Sequence, residues 1–273
     1  MSKLEASMVK NMLNSSEKPP VMFIPGGIMP AELVYGPLLG VIGDQIRPFP
    51  KELEVYAAET PPPGYSLELE VEGIRRVVDD FGLDQFHLVI YSGGGAIALA
   101  FVAKYPERIQ SLALVEPASI GSVPPEDLKE SAELDRIITL PPDQQMPAFV
   151  RWHMRPGVQP PSMSMPPGPP PPWMKKRPAG LRALSQAFNL YHIDQQRFRL
   201  MDRPVYYALG SLSTRYFEHE ARIRTGLFPD IQVEEYEGRS HFDPPHRAEP
   251  ERFGQALTAL WARSDAALVA KKR

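Results

Sequence analysis

No cysteine occurs anywhere in the 273 residues, which removes a thiol nucleophile, a disulfide framework and thiolate metal ligation together. Net charge is nearly as scarce. The 30 Lys and Arg against 33 Asp and Glu leave −3, so there is no basic field on which a polyphosphate or an anionic bilayer could dock. Neither nucleic acid nor membrane is an expected partner, and the substrate is expected not to be a polyanion. No apolar run approaches the roughly 20 residues that span a bilayer. The opening MSKLEASMVKNMLNSSEKPP also has no apolar stretch of the kind an export signal carries. A soluble, cytoplasmic protein is expected. The six histidines are scattered, with no H-E-x-x-H or paired-carboxylate spacing, so neither a metal nor a cofactor is expected.

What the chain does contain is core-forming material: 43% apolar residues, with 10 Tyr, 12 Phe and 3 Trp, enough to bury a sizeable core. Short β-branched and aromatic runs recur as strand candidates: Val21 to Ile24, Glu54 to Glu59, Phe86 to Tyr91, Ser111 to Glu116, Pro204 to Gly210 and Ile231 to Glu237. Between them, apolar residues fall at helical spacing, as at Leu69, Ile74, Val77, Val78 and Phe81, then Ala96 to Ala103, and later Phe253, Leu257 and Leu260. Strand then helix, repeated, predicts an α/β fold with a mostly parallel sheet covered on both faces. FHLVIY and SLALVE, apolar almost throughout, are expected in the middle of that sheet.

Proline is the excess, 32 residues, more than twice the average usage of about 5%. Its concentration between about Ser119 and Met201 breaks the alternation and marks an insertion. Pro124-Pro125-Glu126 and Pro141-Pro142-Asp143 read as helix starts. PPGPPPPW, within Pro160 to Pro178, reads as an extended polyproline II strap, because each proline lacks an N–H and fixes φ. The first 18 residues read as one short helix around Leu4, Met8 and Leu13.

The segment IYSGGGAIALAFVAKYPERI carries the chemistry. A buried strand ends at Tyr91, the chain turns through Ser92-Gly93-Gly94-Gly95, and a helix-forming run begins at once. A serine on so sharp a turn points its Oγ out of the sheet, and small neighbours let strand and helix pass closely. Gly94 and Gly95 meet that need. Ile90 stands where G-x-S-x-G has its first glycine, so that pattern fails on one side. The helix N-terminus offers the Gly93 N–H to a developing oxyanion. A phosphate-cradling turn is the other reading of such a sequence, but the P-loop lysine and the spaced dinucleotide-binding glycines are absent.

IYSGGGAIALAFVAKYPERIQSLALVEPA resembles the nucleophile-elbow region of the α/β-hydrolase superfamily. Upstream, VMFIPGG is similar to the strand and loop with which that family supplies a second oxyanion donor, with Pro25 in place of the usual histidine. The resemblance implies the Gly27 N–H as donor. Downstream, EYEGRSHFDPPHRAEPERFGQAL is similar to the family's histidine loop and last helix, which puts His241 on the catalytic position, with His246 as the rival. Most relatives carry an aspartate shortly after the strand matching PVYYALG. Here Gly210-Ser211-Leu212-Ser213 has none. A minority place the acid one strand earlier, which implies Glu116, with Glu218, Glu220 and Asp230 as alternatives. The same resemblance divides the chain into an N-terminal extension (1–19), an α/β-hydrolase core (20–119 and 202–273) and a cap or lid insertion (120–201).

A serine needs a base to take its proton, imidazole does so near neutral pH, and a carboxylate fixes the imidazole's tautomer. The expectation is a serine hydrolase that cleaves a small or medium, largely uncharged carboxylic ester through an acyl-enzyme on Ser92. Met163, Met165, Trp173 and Met174 would either line the pocket from the cap or only pin the strap. Lactone, thioester, amide or carbon–carbon cleavage and perhydrolysis use the same three groups. A binding protein that kept the fold and lost turnover would fit the departures at Ile90, Pro25 and Gly210.

Overall fold

The computed structural model describes residues 18–120, 132–134, 136, 137, 139–161 and 169–271. Strands β1 (Pro20–Ile24), β2 (Arg47–Pro50), β3 (Phe86–Tyr91), β4 (Ile109–Val115), β5 (Val205–Gly210) and β6 (Ile231–Tyr236) form one sheet. The helices that position the site are α1 (Ala31–Ile42), α2 (Leu67–Asp80), α3 (Gly94–Lys104), α4 (Pro142–Trp152), α5 (Arg177–Leu190), α6 (Tyr216–Leu227), α7 (Pro245–Ala248) and α8 (Pro250–Lys271). The strand order is β2-β1-β3-β4-β5-β6 and every pairing is parallel. β3 and β4 lie mid-sheet, as their continuous apolar runs require.

Period-two alternation sorts their side chains onto two cores. Phe86, Leu88, Ile90, Leu112 and Leu114 face one, packed with Val71, Ile74 and Val78 of α2 and the apolar run of α3. Val89, Ala113 and Val115 face the other, packed with Val34, Tyr35 and Leu38 of α1 and Phe253, Leu257 and Leu260 of α8. α3 is buried from Gly94 through Ala103, which explains why GGAIALAFVA is apolar all round rather than on one stripe.

Glu54 to Glu59 is not a strand. Glu54–Tyr56 is a 3₁₀ turn, because the buried Glu70 carboxylate of α2 accepts the N–H groups of Glu54 (2.9 Å) and Val55 (3.0 Å), donors that a sheet ladder would have needed. The missing strand is Arg47–Pro50, with prolines at 48 and 50. It pairs only with β1, and an edge is where proline is tolerated in a sheet.

Between β4 and β5 the alternation gives way to α4, which begins at Pro142, and α5. Pro171 is extended (φ −56°, ψ 145°), but Pro172–Lys176 is a 3₁₀ helix. Pro172 and Trp173 therefore fall outside the expected polyproline strap, since proline is harmless at a first helical position, and residues 162–168 of that run lie outside the described residues. The expected helices around Leu4, Met8 and Leu13 and at Pro124-Pro125-Glu126, and the side chains of Met163 and Met165, lie outside the described residues. Among the described residues, no helix is long and apolar enough to cross a membrane.

Candidate active site

Ser92 follows β3 at φ 53°, and Glu116 follows β4 at φ 42°. They are the two non-glycine residues with positive φ among those described. Such a conformation costs about 1–3 kcal/mol and persists only where the surroundings over-determine it. Around Ser92 they do. Its N–H donates to the Val115 carbonyl (3.0 Å), while its own carbonyl accepts from Gly95 and Ala118 (2.8 Å each). The turn is also too tight for side chains: a Cβ on Gly94 would lie 2.6 Å from the Pro25 carbonyl oxygen, and one on Gly95 would lie 2.2 Å from Pro117 Cβ. Ile90 belongs to the α2–α3 core, which is why its position tolerates a large side chain.

Glu116 is held at three points. Its N–H donates to the Ala208 carbonyl (3.1 Å), its Oε1 accepts the Gly210 N–H (2.7 Å), and its Oε2 accepts His241 Nδ1–H (2.8 Å). On the other side of the ring, His241 Nε2 accepts the Ser92 hydroxyl at 2.9 Å. Tyr91 donates its hydroxyl to the His241 carbonyl and anchors the loop. His241 and Glu116 are each 1% exposed. Burial pushes the imidazole down to about 3, so it stands neutral at pH 7 with a free lone pair toward Ser92. Burial pushes the Glu116 carboxyl up, against the opposing pull of the Gly210 N–H.

Gly27 and Gly93 sit together beside Ser92. A Cβ on Gly93 would lie 3.3 Å from the Gly27 nitrogen, and neither N–H is taken by an acceptor among the described residues. Gly93 also caps the N-terminus of α3, whose dipole favours negative charge there.

The structure separates the alternatives. Glu218 pairs with Arg155, Glu220 with Arg224 at 2.7 Å and Asp230 with Arg263. None of the three meets the His241 ring. His246 is buried in an aromatic box of Tyr35, Tyr91 and Phe253, away from Ser92.

Ser92, Glu116 and His241 open onto a cavity of about 360 Å³. Its walls include Trp152 and His153 at the end of α4, Phe188 of α5, and Tyr216 and Phe217 of α6. The His241 ring is stacked against His153 at 4.2 Å (27° between rings) and against Phe217 at 4.9 Å (6°). Burial, then the neighbouring His241, pushes His153 down as well. Sequence reasoning missed these walls; the one signal available was the aromatic pair in Arg151-Trp152-His153-Met154, inside an insertion otherwise read through its prolines. Trp173 and Met174, singled out as pocket candidates, do not line the cavity. Trp173 lies over the Arg177 guanidinium instead. Among the described residues no cluster of side chains could hold a metal ion.

A family model described as alpha/beta hydrolase fold matches residues 56–156. One curated relative, the 2-hydroxy-6-oxo-6-phenylhexa-2,4-dienoate hydrolase of Comamonas testosteroni, is 35% identical over 54 residues. That alignment covers 20% of this chain and 19% of the relative. Among solved structures, carboxylesterase CesB of Bacillus subtilis superposes with a TM-score of 0.62 at 19% identity, covering 90% of this chain and 84% of that one. A thermophilic esterase from Thermogutta terrifontis gives 0.65 at 18% identity, covering 91% of each chain. At such identities the structural likeness is one of fold. The parallel sheet with its strained serine elbow, the matching family model and these neighbours together show that the chain has the α/β-hydrolase fold.

Proposed function

We propose that the protein is a serine hydrolase of carboxylic esters, with Ser92 as nucleophile, His241 as general base and Glu116 as the acid that orients the histidine. The observation that carries this reading is the continuous hydrogen-bonded chain from Ser92 Oγ through His241 (2.9 Å and 2.8 Å) to Glu116, at the floor of a cavity large enough for a small ester. Ser92 Oγ attacks the ester carbonyl carbon as its proton passes to His241 Nε2. Negative charge on the carbonyl oxygen is met by the Gly27 and Gly93 N–H groups. Collapse breaks the carbon–oxygen ester bond, and the alkoxide leaves with the proton from the imidazolium. Water then repeats the sequence on the acyl-enzyme and releases the acid. Glu116 stabilises the imidazolium each time.

The aromatic part of the walls supports the substrate class. Trp152, Phe188, Tyr216 and Phe217 are uncharged and largely apolar, which suits an uncharged ester with an aliphatic or aromatic group of modest size. The test is covalent labelling by a fluorophosphonate together with turnover of p-nitrophenyl esters of increasing acyl length. Wild type should label and hydrolyse the short esters best, and Ser92→Ala should lose labelling and on the order of 10⁴-fold in kcat. Failure of wild type to label anywhere between about pH 6 and 9 would overturn the assignment.

A further inference from the structure

The 3₁₀ turn at Glu54–Tyr56 reaches the oxyanion loop. The Tyr56 hydroxyl donates to the Gly27 carbonyl at 2.6 Å, across 29 residues of sequence and within the interior. Gly27 has no side chain to hold it, and a Cβ there would press on Leu181 Cδ2 of α5 at 2.6 Å. Its peptide orientation therefore depends on contacts made by its own backbone, and the Tyr56 bond fixes the carbonyl side of the residue whose N–H faces the oxyanion. The phenol is a permanent donor, because burial raises its pKa.

Tyr56 is itself gripped from two directions. Below, Glu70 accepts the N–H groups of the two preceding residues. Above, α5 closes over the ring. The Arg177 guanidinium carbon lies 3.8 Å from the ring centre, and Arg177 Nη2 is tied to Glu52 at 2.9 Å. Lys176 Nζ donates to the Tyr56 carbonyl at 3.2 Å. Gly180 lets the helix come this close; a Cβ there would fall 2.0 Å from Tyr56 Cε1. A buried guanidinium on an aromatic face is a strong, geometrically specific contact.

We propose that Tyr56 is the positioning residue of the oxyanion hole and that Arg177 clamps it, so that the seating of α5 over the site determines whether the Gly27 N–H is in place for catalysis. The inference rests on the hydrolase reading above. It makes α5 more than a roof over the cavity, because a helix of the inserted segment holds one wall of the reaction centre through a single phenol. Removing an oxyanion donor outright costs about 10²- to 10³-fold, and a donor left in place but loosely held should cost less.

The experiment compares wild type, Tyr56→Phe and Arg177→Met, each at a concentration of active sites set by complete titration with a fluorophosphonate. Tyr56→Phe should lose about 10- to 100-fold in kcat on p-nitrophenyl acetate, with KM within about threefold. Its inhibition constant for phenylboronic acid, which forms a tetrahedral adduct on the serine, should rise by a similar factor. Arg177→Met should move both quantities in the same direction by a smaller factor, and it carries the test if Tyr56→Phe does not fold. A merely structural Tyr56 would lower the fraction of titratable sites and leave the rate per site alone. Variants with wild-type kcat per site and unchanged boronate inhibition would overturn the clamp while leaving the hydrolase reading intact. A wild type that does not label would overturn both.

Discussion

Replacing Glu116 with glutamine isolates the role of one carboxylate, because each of its oxygens has a single, opposed demand. Oε1 accepts from the Gly210 N–H at 2.7 Å and Oε2 from His241 Nδ1–H at 2.8 Å. A glutamine has one oxygen for two donors, so whichever way the amide turns, its NH₂ must face an N–H. Facing Gly210, it meets a backbone donor that cannot rearrange, a buried mismatch worth about 1–3 kcal/mol. Facing His241, it meets a ring that can, since imidazole relieves the clash by moving its proton from Nδ1 to Nε2. The variant should therefore settle in that second arrangement. The fold survives, but Nε2 now carries a proton toward Ser92 Oγ and cannot take one. We expect kcat on p-nitrophenyl acetate to fall about 10²- to 10⁴-fold with little change in KM. The melting temperature should move by only a few degrees. Glu218→Gln, whose carboxylate serves Arg155 instead, should stay within a few-fold of wild type. A folded Glu116→Gln enzyme within tenfold of wild type, or a Glu218→Gln enzyme more damaged than it, would refute the reasoning.

Two further outcomes follow from buried histidines. His246 has no hydrogen-bond partner on either ring nitrogen among the described residues and sits among aromatic rings. His246→Phe should therefore keep kcat within a few-fold and hold or raise the melting temperature, and a hundredfold loss would show that it belongs to the chemistry. Burial pushes His87, His241 and His246 down to about 3, and His153 also down. These four stay neutral in the fold while the unfolded chain takes up protons below about pH 6.5, so stability is lost as pH falls from there, by at most about 1.4 kcal/mol per pH unit for each group. Glu116 and Glu70, with raised carboxyls, act in the opposite direction but are two against four. Thermal melts from pH 8 to 5 should show a falling midpoint below about pH 6.5; a midpoint that holds or rises would contradict neutral buried histidines.

The fold could be read from the sequence wherever local pattern and tertiary environment agree. FHLVIY and SLALVE are apolar throughout because both of their faces are covered, and the all-apolar α3 follows from its complete burial. The reading failed where a distant residue decides local structure. Glu54 to Glu59 has strand composition, yet Glu70 takes its backbone donors from 16 and 15 residues away. The strand that does form, Arg47–Pro50, carries two prolines that only its edge position permits. At the site, the elbow announces itself through Ser92-Gly93-Gly94-Gly95 and His241 through its place after Gly238. Four carboxylates could serve the acid position on sequence, and only the spatial pairing of Glu218, Glu220 and Asp230 with arginines separates them from Glu116. The aromatic walls come from α4, α5 and α6, whose mutual arrangement no local period encodes.

The displaced carboxylate has a geometric rationale in the parallel sheet. Tyr91 pairs with Val115, Val115 with Ala208, and Gly210 with Tyr236, so the carboxyl ends of β3, β4 and β5 lie side by side. Ser92 leaves the first, Glu116 the second and Gly210 the third. In the proposed triad, with no aspartate after β5, the carboxylate comes from β4, where Glu116 at positive φ reaches β5 through the Gly210 N–H. Glutamate has the length to span that gap and still leave an oxygen for the Gly210 N–H. The backbone of β5 thus contributes a hydrogen bond where its loop supplies no acid, and the strain at residue 116 is the conformational cost of that arrangement. Under the proposed mechanism the order serine, acid, histidine along the chain is kept, at 92, 116 and 241, while the acid moves one strand toward the nucleophile.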